Sequence, residues 1–159
     1  MLIQKFITKS FFPLLAILAL CGAAFNAADS NAEPRTIEIT GTDEMKYDVT
    51  SIDAEPGEEI RIVLTTESSL PKQAMAHNVI LMDSEADVQE FVNASMKARD
   101  NEYIAEGFDD QIIAASDLAG GGESVEITFT VPEEPGSYEY ICTFPGHYAA
   151  GMKGVLTVQ

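Results

Sequence analysis

A chain of 159 residues with 46% hydrophobic content holds one domain's worth of core and leaves no room for several. Its 26 acidic residues against 9 basic ones give a formal charge of −17 at pH 7, which argues against a nucleic-acid or anionic-lipid surface; it steers toward basic partners at low ionic strength, or serves solubility alone. With only two Cys and two His, a disulfide framework is excluded and any chemistry built on these residue types must use very few of them.

The first 24 residues read as an export signal. Lys5 and Lys9 make a positive start, and Phe11 to Leu20 is an apolar run, broken by Pro13, that is too short to span a bilayer comfortably. Gly22-Ala23-Ala24 supplies small residues for cleavage, while Leu18-Ala19-Leu20-Cys21 resembles a lipoprotein box that would make a lipidated Cys21 the mature N-terminus, although Leu20 is larger than the residue normally found before such a Cys. Removal of the signal takes away Lys5 and Lys9 but no acidic residue, moving the formal charge to about −19. Residues 25–34 are small and polar, a tether, and residues 35–159 form the domain. No internal repeat is evident.

Within the domain, apolar residues alternate at Ile37 and Ile39, at Ile60, Ile62 and Leu64, and at Val125, Ile127, Phe129 and Val131. Pro56-Gly57, Gly120-Gly121-Gly122 and Pro135-Gly136 separate these runs, so the expectation is antiparallel β-structure with one buried face, a β-sandwich. Met75 to Leu81 reads as a further apolar strand that carries His77. Between strands, Val88, Phe91, Val92, Ser95 and Met96 fall at helical spacing. Ser84 with Asp87 suggests a cap and Lys97 and Arg99 suit the far end, which predicts an amphipathic helix over about 84–99 on the outside of the sandwich.

The chemistry is concentrated near the C-terminus. Tyr138, Tyr140 and Cys142 share one face of a strand, and Cys142-Thr143-Phe144-Pro145-Gly146-His147 is followed five residues later by Met152. A thiolate, an imidazole and a thioether on one loop make a metal-ligand set, and two His with one Cys and a weak axial Met suit copper cycling between two oxidation states. The remaining His, His77, completes the set, so every His is used. Cys142 is also the only Cys left in the exported domain, where a lone thiol needs a reason, and metal ligation provides one.

These residues resemble the blue copper proteins, or cupredoxins. Cys-Thr-Phe-Pro-Gly-His followed by Met-Lys-Gly and an alternating final strand is similar to the azurins, His77-Asn78 matches their first-ligand segment, and the resemblance covers roughly residues 35 to 159. One departure is that azurin places its Met four residues after the second His, whereas Met152 lies five after His147, the spacing of the azurin-like auracyanins. The resemblance implies a Greek-key β-sandwich, and one copper per chain held by His77, Cys142, His147 and Met152, with the Ala76 carbonyl approaching opposite Met152. It further implies a hydrogen bond from Asn78 to Thr143 across the two ligand-bearing segments, and N–H bonds from Asn78 and Phe144 to the Cys142 sulfur. The implied activity is one-electron transfer outside the cytoplasm. Redox donor and acceptor proteins would dock at the exposed edge of His147, amid Phe144 and Pro145, and membrane contact would run only through a lipid on Cys21.

Other classes are weaker. A Cys142 nucleophile with His147 as base lacks an orienting third group and an oxyanion motif, so no enzymatic activity is expected. Copper enzymes of this fold need further ligands, and the dinuclear CuA centre needs a second Cys on the loop. Copper or zinc binding and delivery on the same scaffold stays open as the alternative.

Overall fold

The computed structural model describes residues 33–159; the signal, Cys21 and most of the tether expected over 25–34 lie outside the described residues. Two sheets form the sandwich. The first runs in the order β2 (Lys46–Tyr47), β1 (Arg35–Thr42), β4 (Glu59–Glu67), β9 (Ser124–Thr130). The second runs β3 (Ser51–Ala54), β11 (Lys153–Val158), β10 (Gly136–Ile141), β6 (Ile80–Met82), β7 (Ile112–Ala115), and a short ladder joins β5 (Ala76–His77) to β8 (Ala119–Gly120).

The alternating runs become the sandwich interior. Ile39, Ile60, Ile62, Leu64, Ile127 and Phe129 point in from the first sheet and meet Ile52, Leu81, Tyr138, Tyr140, Leu156 and Val158 from the second, all buried. The pairing is mixed rather than wholly antiparallel: β1 runs parallel to β4, with Ile37 opposite Ile62, and β3 runs parallel to β11, with Ile52 opposite Leu156. The chain crosses to the other sheet between β1 and β3 and again between β3 and β4, so strands that meet side by side are not joined by hairpins and need not be antiparallel.

The stretch Met75–Leu81 is two strands, not one. At Asn78-Val79 it leaves the β5–β8 ladder and enters the second sheet, and the ladder is replaced by local bonds: Val79 N–H donates to Ser116 Oγ at 2.9 Å and Ser116 N–H to the Val79 carbonyl at 3.0 Å. In β6, Leu81 faces the sandwich while Ile80 and Met82 face outward into a second cluster with Phe91, Val92, Ala105 and Ile141. That cluster is where the helix packs, on the outer face of the second sheet, which explains why this run is apolar throughout rather than alternating.

The helix is shorter than its periodicity suggests. It spans Val88–Ser95, capped by Asp87, whose Oδ1 accepts from Glu90 N–H at 2.9 Å. Asp83 claims the residues before it, since its Oδ1 accepts from Glu85 N–H and its carbonyl from Ala86 N–H, and Ser84 lies in that turn. Lys97 and Arg99 fall beyond the last helical turn, in a segment that closes with a 3-10 turn at Arg99–Asn101. The Ser95 hydroxyl bonds Ala105 N–H at 3.2 Å and folds this segment back on the helix.

Near the C-terminus, β10 and β11 pack so closely that a Cβ built on Gly154 would lie 2.1 Å from Tyr140 Cζ. Gly154→Ala is therefore expected to destabilise the domain by about 3 kcal/mol, as overpacking of a filled core does, lowering the thermal midpoint by roughly 10 °C. A midpoint equal to wild type would show that Tyr140 can move aside at little cost.

Candidate metal centre

Three chain segments converge at one end of the sandwich. The end of β5 supplies His77, the residue after β10 is Cys142, and the turn that follows carries His147 before Met152 leads into β11. Gly146, at φ 87°, sits in the left-handed region open to glycine and allows the turn in which His147 N–H donates to the Phe144 carbonyl at 3.0 Å. Gly151, at φ 88°, closes the same turn, with Met152 N–H on the His147 carbonyl and Cys142 N–H on the Met152 carbonyl. The loop is thus tied to itself at both ends.

The donor atoms face one another. His77 Nδ1 lies 3.2 Å from His147 Nδ1, and Cys142 Sγ lies 3.5 Å from His147 Nδ1 and 4.0 Å from His77 Nδ1. Such separations are those of three donors set about 2.0–2.3 Å from one centre. His77 and Cys142 have no exposed surface and His147 keeps 2%. With both Nδ1 atoms aimed inward, the neutral rings carry their protons on Nε2. The Nε2 of His77 is buried without a regular hydrogen-bond partner, and the Thr42 backbone interacts with this ring. Two imidazole lone pairs and a sulfur converging in a dry space repel one another unless a cation sits between them. The residues fit a borderline-soft transition metal.

Electrostatics agree with that arrangement. Burial pushes His77 down to about 4, opposed by the Asp43 charge and the Thr42 backbone, and burial with the His77 ring pushes His147 down to about 4. Burial raises the Cys142 thiol to about 12, against the opposing pull of the Asn78 and Phe144 backbone N–H groups and of the Tyr47 hydroxyl nearby. At neutral pH both imidazoles are free bases with Nδ1 ready to bind metal, and of the three donor atoms only the Cys142 sulfur still holds a proton.

Met152 is fully buried. A Cβ placed on Gly41 would lie 2.6 Å from His77 Cδ2 and 3.1 Å from Met152 Cε, so the imidazole and the thioether meet over the one position in β1 that has no side chain. Ala76 precedes His77 in β5 and is fully buried. Around the donors, Asn78 Nδ2 donates to Thr143 Oγ1 at 2.8 Å, and Asn78 Oδ1 accepts from Thr143 N–H at 2.9 Å, which locks the two ligand-bearing segments together.

Phe144 differs from its expected place on the surface. It is 7% exposed because Tyr103 packs edge-on against it, centroids 5.2 Å apart, and the His147 ring lies 4.8 Å away on another side. The exposed rim is Pro145, Gly146, Ala149 and Ala150. Sequence reasoning missed Gly41, Thr42 and Tyr47. Gly41 and Thr42 follow an alternating run and Tyr47 follows a polar turn, and nothing local marks any of them as neighbours of His77 or Cys142.

A β-sandwich with a buried pair of His Nδ1 atoms, one Cys sulfur and an adjoining Met is the design of a mononuclear copper protein. The family model for copper binding proteins of the plastocyanin/azurin family matches residues 35–159. Auracyanin-A of Chloroflexus aurantiacus is 36% identical over 150 residues, covering 90% of this chain and 89% of that protein, and azurin of Pseudomonas aeruginosa is 33% identical over 149 residues, covering 91% and 95%. Among solved structures, that auracyanin A, described as a "blue" copper protein, superposes with a TM-score of 0.70 at 38% identity, covering 80% of this chain and 100% of its own. A dithionite-reduced auracyanin of Roseiflexus castenholzii also gives a TM-score of 0.70, at 32% identity with 80% and 99% covered. The chain belongs to the plastocyanin/azurin family of copper-binding proteins.

Proposed function

We propose that this protein is a one-electron carrier outside the cytoplasm, with one copper per chain held by His77, Cys142, His147 and Met152. The observation that carries the reading is the convergence of three buried donor atoms within 4.8 Å. When bound there, copper supplies exchange of one electron between Cu(I) and Cu(II). The chain's own task is to hold the donors still. The Asn78–Thr143 bonds fix the ligand segments, the N–H groups of Asn78 and Phe144 stabilise the Cys142 sulfur, and the surrounding core excludes water.

The Ala76 carbonyl is proposed as an additional weak contact opposite Met152. Redox partners are proposed to dock over His147 on the small apolar rim of Pro145, Gly146, Ala149 and Ala150, a patch suited to weak, brief encounters. The acidic surface favours basic partners at low salt. No catalysis is assigned, because both imidazoles and the lone thiol of the domain are already in the donor set. Export rests on residues 1–24, and attachment to a membrane on lipidation of Cys21. Copper or zinc delivery on the same scaffold is the second reading; the burial of all three donors favours retention over exchange, and the affinity order favours copper over zinc.

Titration of the metal-free domain with Cu(II) tests this. The expected result is one copper per chain and an intense visible thiolate-to-copper band that ascorbate bleaches. A colourless complex, or two tightly bound coppers, would overturn the carrier reading. The proton count is a separate check. With both imidazoles near 4 their Nδ1 atoms are unprotonated at pH 7, whereas the thiol near 12 still holds its proton, so uptake should release one proton per copper. Affinity should then fall about tenfold for each pH unit lowered toward 4, and more steeply below it, where His77 and His147 must also lose protons. A pH-indicator titration that finds two or more protons at pH 7 would contradict the buried, neutral imidazoles.

A further inference from the structure

The two-residue strand β2 touches both ligand-bearing segments through their backbone carbonyls. Met45, at φ 55°, turns the chain back from β1, with Met45 N–H on the Thr42 carbonyl at 2.9 Å. This aims Lys46 and Tyr47 at the donor cluster. Tyr47 is buried at 4% exposure, and its hydroxyl donates to the Asn78 carbonyl. Lys46, on the outer side, donates through Nζ to the Ala150 carbonyl in the turn between His147 and Met152. Asn78 is the residue after His77, and its side chain holds Thr143, the residue after Cys142. Ala150 lies in the turn whose ends carry the other two donors.

The structure assigns β2 the role of a brace for the copper centre, in which Tyr47 fixes the Asn78 peptide and Lys46 fixes the His147–Met152 turn. Both are positioning residues. A buried carbonyl that loses its side-chain donor frees the Asn78–Val79 peptide to rotate, and one Cα away is the Asn78 N–H that stabilises the sulfur. Tyr140 provides an internal control. Its ring lies 5.9 Å from Tyr47, it is equally buried, and its hydroxyl donates to the Val49 carbonyl at 2.9 Å, away from the donors.

The test compares Tyr47→Phe, Tyr140→Phe and Lys46→Met in the exported domain. Amide hydrogen exchange of the metal-free form needs no copper and does not depend on the reading above, whereas the spectrum and potential rest on it. In metal-free Tyr47→Phe, exchange at Asn78 and Thr143 should be about tenfold faster, and Tyr140→Phe should leave these two amides unchanged. In Lys46→Met, an exposed site that cannot cost the core, the amides of Ala150 and Gly151 should speed up. After copper loading, Tyr47→Phe should bind copper about tenfold more weakly and move the thiolate band. A tenfold loss confined to one oxidation state moves the potential by about 59 mV. Unchanged exchange in Tyr47→Phe or in Lys46→Met overturns the brace, and so does an equal band shift in Tyr140→Phe. Failure of wild type to take up copper would sink the carrier reading and leave the exchange result standing by itself.

Discussion

Cys142→Ser is expected to abolish the visible band and the redox response while the sandwich stays folded. A hydroxyl is a hard ligand that does not ionise near neutral pH, so it provides neither the thiolate bond nor the charge-transfer transition that depends on it. Loss of an outer hydrogen bond in a metal site already costs 10–100-fold in affinity, so loss of this donor should exceed about 100-fold. The fold should tolerate the change. Serine is slightly smaller, and the N–H groups of Asn78 and Phe144 that bond the sulfur remain available to its oxygen. A fully buried hydroxyl with donors in place costs on the order of 1 kcal/mol, a few degrees in the melt. Far-UV circular dichroism, copper stoichiometry and voltammetry on one preparation would decide. A variant that keeps its colour would show that the donor at the centre is not Cys142.

The strands with strict alternation were legible because burial of one face is a property of each strand alone. Ile60, Ile62 and Leu64 needed no knowledge of their partners to be placed inward. The helix was legible by its period but not by its ends, because Asp83 draws Glu85 N–H into a turn of its own while Asp87 caps the helix through Glu90 N–H, and only the folded backbone shows which aspartate does which. Parallel pairing of β1 with β4 depends on where the chain crosses between sheets, which no single segment records. The donors were legible for a different reason. Cys142, His147 and Met152 are close in sequence, and His77 was the only imidazole left to join them.

The Asn78–Thr143 link beside the donors was legible through the resemblance, whereas the burial of Phe144 and the approach of Gly41 and Tyr47 are set by long-range packing. Phe144 is covered because Tyr103 reaches it from a segment whose Glu102 and Tyr103 are both left-handed, at φ 50° and 61°. Neither residue type favours that conformation, at a cost of order 1–3 kcal/mol each, so sequence gives no hint of it. Tertiary bonds hold the segment there: Glu102 Oε2 accepts from Leu118 N–H at 2.7 Å, and Asn78 Nδ2 approaches the Glu102 carbonyl at 3.5 Å. The inserted helix and its tail are thereby tied to the same Asn78 that links the ligand segments.

His77→Ala and Met152→Leu should separate strong donors from weak ones, although the two side chains meet over the same glycine. Both are fully buried, so exposure does not distinguish them. The expected difference comes from bonding. His77 Nδ1 stands 3.2 Å from the opposing Nδ1, one of three inward-facing donors, and its removal leaves a single imidazole and the thiolate with a void that water can fill. The blue band should be lost, copper affinity should fall by more than about 100-fold, and the cavity should cost the metal-free domain roughly 2–4 kcal/mol. Met152→Leu nearly conserves volume and should cost less than about 1.5 kcal/mol. A thioether would be a weak ligand to copper beside two imidazoles and a thiolate, so the colour should survive. The potential should rise, because an apolar axial group disfavours the more highly charged Cu(II). Absorption spectra and voltammetry of the two variants, set beside melts of their metal-free forms, read all of these quantities. Equal bleaching in both variants would mean that the thioether bonds as strongly as an imidazole, and a lower potential in Met152→Leu would mean that water enters where the Met152 thioether had stood.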